Sequence, residues 1–253
     1  MTPACAIEPP RFNFPAPSRA GAVDTLIVSD LHLGLPAARP GALLALLEKC
    51  RFDRLILLGD VFHDWSVRHL CADALRLLAH VRRLNHRREA EVVWVLGNHD
   101  RHLGHVAAAL LGVETTEAFR WSFAGRAFAA VHGDRFDGFV SKHVKIADFF
   151  SRSYAFAQRR LSTGGEWPKL LDRLHAGLSS LSEQVEEGAF GYATSHDVDV
   201  IVCGHTHRPR RTVFDVLGPA GGFIEYFNTG CWVARPASFV TVGAAGVALN
   251  HCP

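Results

Sequence analysis

Aspartate, histidine and asparagine residues stand at the ends of five apolar segments in this 253-residue chain. Each polar residue comes where a buried strand should give way to a loop, and in open α/β sheets ligands bind at that carboxyl edge. We therefore predict that the five ends converge on one site. The segments are "LIVSDLHLG" at 26–34, "LILLGDVFHDW" at 55–65, "VVWVLGNHD" at 92–100, "AFAAVHGD" at 127–134 and "VIVCGHTHRP" at 200–209.

The polar residues of these segments could hold metal ions. They combine imidazoles with hard oxygen donors and include no thiolate, which suits Mn²⁺, Fe or Zn²⁺ rather than a structural zinc site. Seven ligands are too many for one ion, whereas two ions about 3.5 to 4 Å apart with a bridging carboxylate use them well and typically hydrolyse phosphate esters. We predict two divalent ions, Mn²⁺ by preference, held by Asp30, His32, Asp60, Asn98, His132, His205 and His207.

The spacing within the segments is consistent with such a site. Asp30 and His32 are two residues apart, so their side chains would share one face if the strand conformation continued. Gly59, Gly97 and Gly204 each precede a candidate ligand. A glycine at such a position removes a side chain where the backbone and a metal must approach closely.

Strands and helices that alternate along the chain must position these ends. Apolar residues at helical spacing in "PGALLALLEKC" (40–50) and "LCADALRLLAHVRRL" (70–84) predict two core-facing helices. The alternation lasts as far as His132, after which residues 135–195 contain helical stretches and little strand signal. Strand signal returns near 200, 223 and 238, and the whole pattern predicts an α/β fold.

Composition and charge are those of a soluble globular protein. The chain is 48% hydrophobic and 21% charged, and its net charge of +2 is too small to imply a nucleic-acid partner. Six cysteines without a CxxC pair indicate free thiols in a reducing compartment. The proline-containing N-terminus is unlike a signal peptide, and no apolar run approaches the roughly 18 residues of a spanning helix. We predict a cytoplasmic protein, with any contact with the inner membrane peripheral.

The sequence predicts a flexible arm at 1–22 and one domain at 23–253, with a helical insertion at about 136–195. The sequence leaves the oligomeric state open.

Taken in order, the motifs D-x-H, G-D, G-N-H-D, H-G-D and G-H-T-H resemble those of the calcineurin-like metallophosphoesterases over about residues 24–245. The resemblance implies a four-layer αββα sandwich of two mixed sheets, with a helical insertion that forms a lid. It also implies that Asp60 bridges two ions. One ion would be held by Asp30, His32 and His207, and the other by Asn98, His132 and His205.

His99 follows a candidate ligand in the motif "GNHD". The resemblance implies that it protonates the leaving oxygen or stabilises charge in the transition state. Asp64 and Asp100 are candidate residues for orienting His99, and a simple turn or cap role is the alternative for both.

The motif "GDVFHDW" is similar to one in the UDP-2,3-diacylglucosamine pyrophosphohydrolases of lipid A synthesis. Those enzymes usually carry an acid where this chain has His63, and many have arginine where it has His99. They place an insertion after the histidine that corresponds to His132, as a lid whose apolar interior takes acyl chains. We predict substrate contacts by Arg101, Lys142, Lys145, Phe149 and Phe150.

Aromatic and cationic residues in the insertion fit a surface that meets anionic lipid headgroups. An ordinary helical subdomain with a solvated basic face is the alternative, and such a face could equally hold a nucleotide diphosphate.

Three functions are compatible with the sequence. The first is a metal-dependent pyrophosphohydrolase that cleaves a lipid-linked or nucleotide-linked diphosphate such as UDP-diacylglucosamine. The second is a phosphoesterase that acts on a soluble phosphodiester, a nucleotide or a phosphoprotein. The third is a non-catalytic scaffold, which should have lost ligands, and none of the seven is lost.

Overall fold

A computed structural model of the protein describes residues 23–64, 67–102, 104–138, 168–216 and 222–253, without the side chains of 168–180. The predicted arm at 1–22, the central part of the predicted insertion and four predicted substrate contacts lie outside the described residues. These contacts are Lys142, Lys145, Phe149 and Phe150.

Within the described residues the chain forms two β-sheets and four α-helices. The strands are β1 (Val23–Val28), β2 (Phe52–Leu58), β3 (Glu91–Val95), β4 (Glu114–Thr116), β5 (Phe119–Phe123), β6 (Arg126–Ala130), β7 (Val200–Cys203), β8 (Arg210–Asp215), β9 (Phe223–Asn228), β10 (Ala237–Gly243) and β11 (Gly246–Cys252). The helices are α1 (Pro40–Lys49), α2 (Ala72–His86), α3 (Gly104–Leu111) and α4 (Pro168–Ser195).

Both sheets are mixed. The first sheet has the order β11-β10-β1-β2-β3-β4, in which β1 to β4 are parallel and β10 and β11 are antiparallel to their neighbours. The second has the order β5-β6-β7-β9-β8, with β6, β7 and β9 parallel. Parallel strands place their carboxyl ends along one edge of a sheet, so each sheet offers one edge for ligands.

Alternating side chains separate the layers. In β1, Leu26 and Val28 pack in a core with residues of α1 to α3, whereas Ile27 packs in a second core between the two sheets. A third core lies on the other face of the second sheet, where Val185 and Ala189 of α4 pack. Three cores between four layers confirm the predicted α/β sandwich of two mixed sheets.

Helix α4 overlaps the C-terminal part of the predicted insertion. Where its side chains are described, Val185, Ala189 and Ala193 are fully buried against the second sheet. That part of the segment therefore forms the fourth layer of the sandwich. None of the described helices is both long and apolar enough to cross a membrane.

Candidate metal centre

The candidate ligands lie in the loops just beyond the strand ends. β1 ends at Val28, and the strand conformation does not continue to Asp30 and His32, whose φ angles are 53° and 44°. The backbone turns there because it bonds to the loop that follows β2. Asp30 N donates to the carbonyl of Gly59 (3.0 Å), and His32 N donates to that of Asp60 (2.9 Å).

Five of the seven candidate ligands have a left-handed backbone conformation. Such angles are uncommon for residues other than glycine, but Asn, Asp and His tolerate them best. The side chains that ligate hard metal ions are therefore also those that this sharply turned backbone accepts. The five are Asp30, His32, Asp60, His205 and His207.

Asp30, His32 and His207 form one group, here called the outer set, whose ligand atoms lie within 4.8 Å of one another. His207 Nε2 lies 3.1 Å from Asp30 Oδ1 and 3.0 Å from His32 Nε2. The side chain of Asp30 is fully buried, whereas that of His207 is 39% exposed. The outer set therefore opens towards solvent through His207.

Asp60, His132 and His205 form the inner set, whose ligand atoms also lie within 4.8 Å of one another. His132 Nδ1 donates to the carbonyl of Leu58 (2.9 Å). That bond leaves His132 Nε2 as the nitrogen that could bind a cation in place of a proton, and it lies 3.4 Å from Asp60 Oδ2. The three side chains are all at least nine-tenths buried.

One oxygen of Asp60 connects the two sets. Its Oδ2 lies 3.4 Å from His132 Nε2 of the inner set and 3.8 Å from His32 Nε2 of the outer set. Its other oxygen, Oδ1, accepts a hydrogen bond from the backbone N–H of His99 (3.0 Å). The loop thus fixes one oxygen and leaves the other between the two groups of imidazoles.

Asn98 completes the predicted ligands. Its Oδ1 is buried and has no hydrogen-bond partner among the described residues. A buried amide oxygen without a partner is costly unless a cation or water satisfies it. The two sets and this oxygen together offer imidazole and oxygen donors, which suit a pair of divalent ions.

The ionisation of the buried groups also favours cations. Burial disfavours a charge on Asp30, but His207 and His132 hold its pKa at about 2. Burial likewise opposes a charge on His132, yet the carboxylates of Asp60 and Asp30 raise its pKa well above the ordinary value. The negative field that attracts a proton to this imidazole would also attract a metal ion.

Gly59 makes room for the ring of His132, and the other two glycines that precede ligands make room for carboxylate ligands. A Cβ on Gly97 would overlap Oδ1 of Asp60, and a Cβ on Gly204 would overlap Oδ2 of Asp30. The sequence interpretation assigned this space to the metals. The side chain that needs it is the carboxylate from the neighbouring strand end.

His99 lies beside the outer set. Its Nδ1 donates to the backbone carbonyl of His63 (2.7 Å), and its Nε2 is 4.0 Å from Asp60 Oδ2. The rings of His32, His63 and His99 group together, with centroids 5.0 to 5.5 Å apart. The second ring nitrogen of His99, Nε2, therefore lies on the side of the candidate metal centre.

The two carboxylates predicted to orient His99 contact other groups. Asp100 Oδ2 accepts hydrogen bonds from Trp94 Nε1 (3.1 Å) and from the backbone N–H of Gly97 (3.2 Å). Burial, with the nearby charge of Asp60, raises the pKa of Asp100 to about 7. Asp64 Oδ2 lies 3.4 Å from Nδ1 of His69.

Arg101, the one predicted substrate contact among the described residues, pairs with buried Asp134 while its own side chain is 44% exposed. It follows the "GNHD" loop directly. The guanidinium is therefore anchored near the site and still accessible to solvent.

Sequence reasoning missed the groups that orient the ligands. Asp30 Oδ2 accepts hydrogen bonds from Ser29 Oγ and from the backbone N–H of His205. Asp137 Oδ2 lies 3.0 Å from His205 Nε2. Ser29 directly precedes Asp30, and Asp137 lies three residues beyond the segment at 127–134. Their closeness to candidate ligands in the sequence was the signal that could have indicated them.

Comparison with known proteins identifies the motif series. Residues 24–209 match the family model described as Calcineurin-like phosphoesterase. No curated protein matches the sequence significantly.

Three of the similar solved structures are distant from this chain in sequence. Yfce, a phosphoesterase from E. coli, is 19% identical with a TM-score of 0.47, and the match covers 90% of this chain and 99% of that one. An archaeal phosphodiesterase is 14% identical with a TM-score of 0.44, over 90% and 98% of the two chains. Vacuolar Protein Sorting 29 from Cryptosporidium parvum is 16% identical with a TM-score of 0.43, over 91% and 97%. Similarity at this level carries no statement about activity.

Proposed function

This chain belongs to the calcineurin-like phosphoesterase family, and we propose that it is a two-metal hydrolase that cleaves the diphosphate linkage of a lipid-linked or nucleotide-linked substrate. The family supports metal-dependent hydrolysis of phosphate compounds. The diphosphate substrate, of which UDP-2,3-diacylglucosamine is an example, rests on the likeness of "GDVFHDW" to the pyrophosphohydrolase motif.

The position of Asp60 Oδ2 between the inner and outer sets is the observation that carries the two-metal proposal. We assign Asp30, His32 and His207 to one ion, Asn98, His132 and His205 to the other, and Asp60 to both. When bound, such ions lower the pKa of water and neutralise charge on a phosphoryl group.

The protein's own groups hold these ligands and supply a proton. The hydrogen bond from His99 Nδ1 to the carbonyl of His63 fixes the ring. In the doubly protonated form, Nε2–H can then donate to the leaving oxygen of the substrate. Asp100 supports this arrangement indirectly, because it bonds to the backbone at Gly97 and so fixes the loop that carries His99. For Asp64, whose Oδ2 lies 3.4 Å from Nδ1 of His69, we keep the proposal that it helps to orient His99.

Metal analysis tests the first part of the proposal. Purified protein saturated with Mn²⁺ should contain about two ions per chain, as expected for seven ligands of this chemistry. A firm stoichiometry of one or zero would overturn the two-metal assignment.

A substrate panel with Mn²⁺ tests the second part. We expect the highest kcat/KM on nucleotide-sugar diphosphates that carry acyl chains, with bis(p-nitrophenyl) phosphate as the generic control. A preference for a soluble phosphodiester or a phosphopeptide would replace the diphosphate substrate and leave the two-metal centre intact.

A third experiment separates His99 from the ligands. His99→Ala should keep both ions and lower kcat by about 10²-fold or more, because only the proton donor is removed. His86→Ala is the matched control, since His86 is an exposed histidine at the end of α2 and lies outside the site. Loss of metal from the His99 variant would place this histidine among the ligands instead.

A further inference from the structure

Asp137 contacts a candidate metal ligand from outside the seven. Its Oδ2 lies 3.0 Å from His205 Nε2, and the two side chains are 4% and 9% exposed. Asp137 follows the 3-10 turn Asp134–Phe136, just beyond the loop that carries His132. A buried carboxylate at hydrogen-bond distance from an imidazole is a strong constraint on that ring.

The contact decides which nitrogen of His205 is available. When Nε2–H donates to Asp137, the lone pair for a cation is on Nδ1. The inner set then contains two imidazoles held in opposite senses. His132 is held through Nδ1 by the carbonyl of Leu58 and presents Nε2, whereas His205 is held through Nε2 and presents Nδ1.

The backbone of His205 is held at the same time. Its N–H donates to Asp30 Oδ2 (3.0 Å), and its φ angle of 67° is left-handed. A bond at the backbone and another at the end of the ring together leave the side chain little freedom. With the backbone bond alone the ring could still rotate, and with the ring bond alone the loop could still move.

A well-packed turn fixes Asp137 itself. The backbone N–H of Asp137 donates to the carbonyl of Asp134 (3.2 Å), and that of Phe136 donates to the carbonyl of Gly133 (3.0 Å). The ring of Phe136 packs against α4, where a Cβ on Gly188 would overlap it. The second sheet and α4 thus hold the carboxylate in place.

We propose that Asp137 is a positioning residue, whose carboxylate fixes the orientation and tautomer of His205 so that the inner ion binds through Nδ1. The inference rests on the proposed function, because it requires that the inner set hold an ion. Carboxylates that bond to ligating histidines raise the basicity of the ligand and orient it.

Titration of the metal-free protein with Mn²⁺ tests the proposal. Asp137→Ala should weaken one of the two ions by about 10- to 100-fold and leave the other within a few-fold of wild type. Asp137→Asn keeps an oxygen acceptor at the same place and should recover most of the affinity. Equal weakening of both ions in Asp137→Ala would overturn a positioning role confined to His205 and the inner ion.

Asp134→Ala is the matched control. Asp134 is also a buried carboxylate on the same turn, but it pairs with Arg101 and acts on the inner set only through the effect of its charge on His132. Asp134→Ala should keep the affinity for both ions within a few-fold of wild type. A loss equal to that of Asp137→Ala would show that any change in this turn weakens metal binding. If Asp137→Ala does not fold, Asp137→Ser removes the carboxylate with a smaller change in polarity and carries the same expectation.

Nitrogen NMR of the zinc-loaded protein gives a readout that a merely structural role would not change. We expect His205 to carry its proton on Nε2 in the wild type and to lose that single tautomer in Asp137→Ala. Zinc bound through Nε2 of His205 in the wild type would overturn the proposal. Failure of the wild type to bind two ions would instead overturn the proposed function, so the two results are distinguishable.

Discussion

The inner and outer sets use similar ligands in different surroundings. Asp60, His132 and His205 are buried, and a carbonyl or a carboxylate fixes each of the two imidazoles. The outer set places His207 at the surface, with its side chain 39% exposed. The difference shows that the carboxylate of Asp60 can connect an enclosed inner site, whose imidazoles are fixed, to an outer site that is open to solvent. We expect the inner ion to exchange slowly and the outer ion to exchange with solvent.

The largest effect should follow the loss of the shared ligand. Asp60→Ala removes the oxygen that lies between the two sets, so both ions should be lost and kcat should fall by about 10³-fold or more. Metal content and turnover of the same preparation measure the effect. Asp64→Ala, which changes a nearby carboxylate outside both sets, should keep its metal. Equal metal loss in the two variants would show that Asp60 is not the bridge.

The second prediction separates the sets by stability. His132→Ala should remove the inner ion and also lower the free energy of unfolding of the metal-free protein by about 2–4 kcal/mol, because it leaves a cavity and an unpaired carbonyl at Leu58. His207→Ala should remove the outer ion and lower that free energy by a smaller amount, because it leaves the buried carboxylate of Asp30 without an imidazole partner but opens no buried cavity at its 39% exposed side chain. Urea unfolding of the two metal-free variants measures the difference. Equal destabilisation would contradict the distinction between a buried inner set and an open outer set.

The third prediction concerns the space between ligands. A Cβ on Gly97 would overlap the carboxylate and backbone of Asp60, so Gly97→Ala should cost about 1–3 kcal/mol of stability and weaken both ions. Gly191→Ala in α4 is the control, since a Cβ there meets no atom within 4 Å. Thermal unfolding and metal titration measure the two variants. A Gly97 variant with normal affinity would mean that Asp60 can move without consequence.

The smallest effect should be confined to the outer ion. Asp30 accepts a hydrogen bond from the side chain of Ser29, whereas Asp60 accepts one from a backbone amide, which side-chain truncation does not remove. Ser29→Ala should therefore weaken the outer ion by about 10-fold and leave the inner ion unchanged. Competition with a coloured chelator can follow the two ions separately. Weakening of both ions would show that the two sets act as one unit.

The sequence predicted the fold and the grouping of the candidate ligands because both follow from strong local signals. Apolar runs that end in Asp, His or Asn predicted β1, β2, β3, β6 and β7, and the parallel arrangement brings their ends to one place. Strand β8 was not predicted, since its sequence "RRTVFD" is charged and mostly exposed at the edge of the second sheet.

The finer geometry of the site could not be predicted. The left-handed turns at Asp30 and His32 depend on bonds to a loop about 30 residues further along the chain, and no local pattern encodes them. The roles of Ser29 and Asp137 depend in the same way on distances between separate loops. Spacing along the chain indicates which residues can meet, and tertiary structure decides which atom of each is left for a ligand.

The left-handed backbone at five candidate ligands also has a consequence for engineering and for stability. None of the five is glycine, and each therefore carries a conformational cost of roughly 1 kcal/mol for its left-handed backbone. Replacing any of the five with glycine should relieve that cost while it removes a ligand. A bound metal would offset that cost because it stabilises only the folded protein, so removal of the metals should lower the thermal stability of the protein.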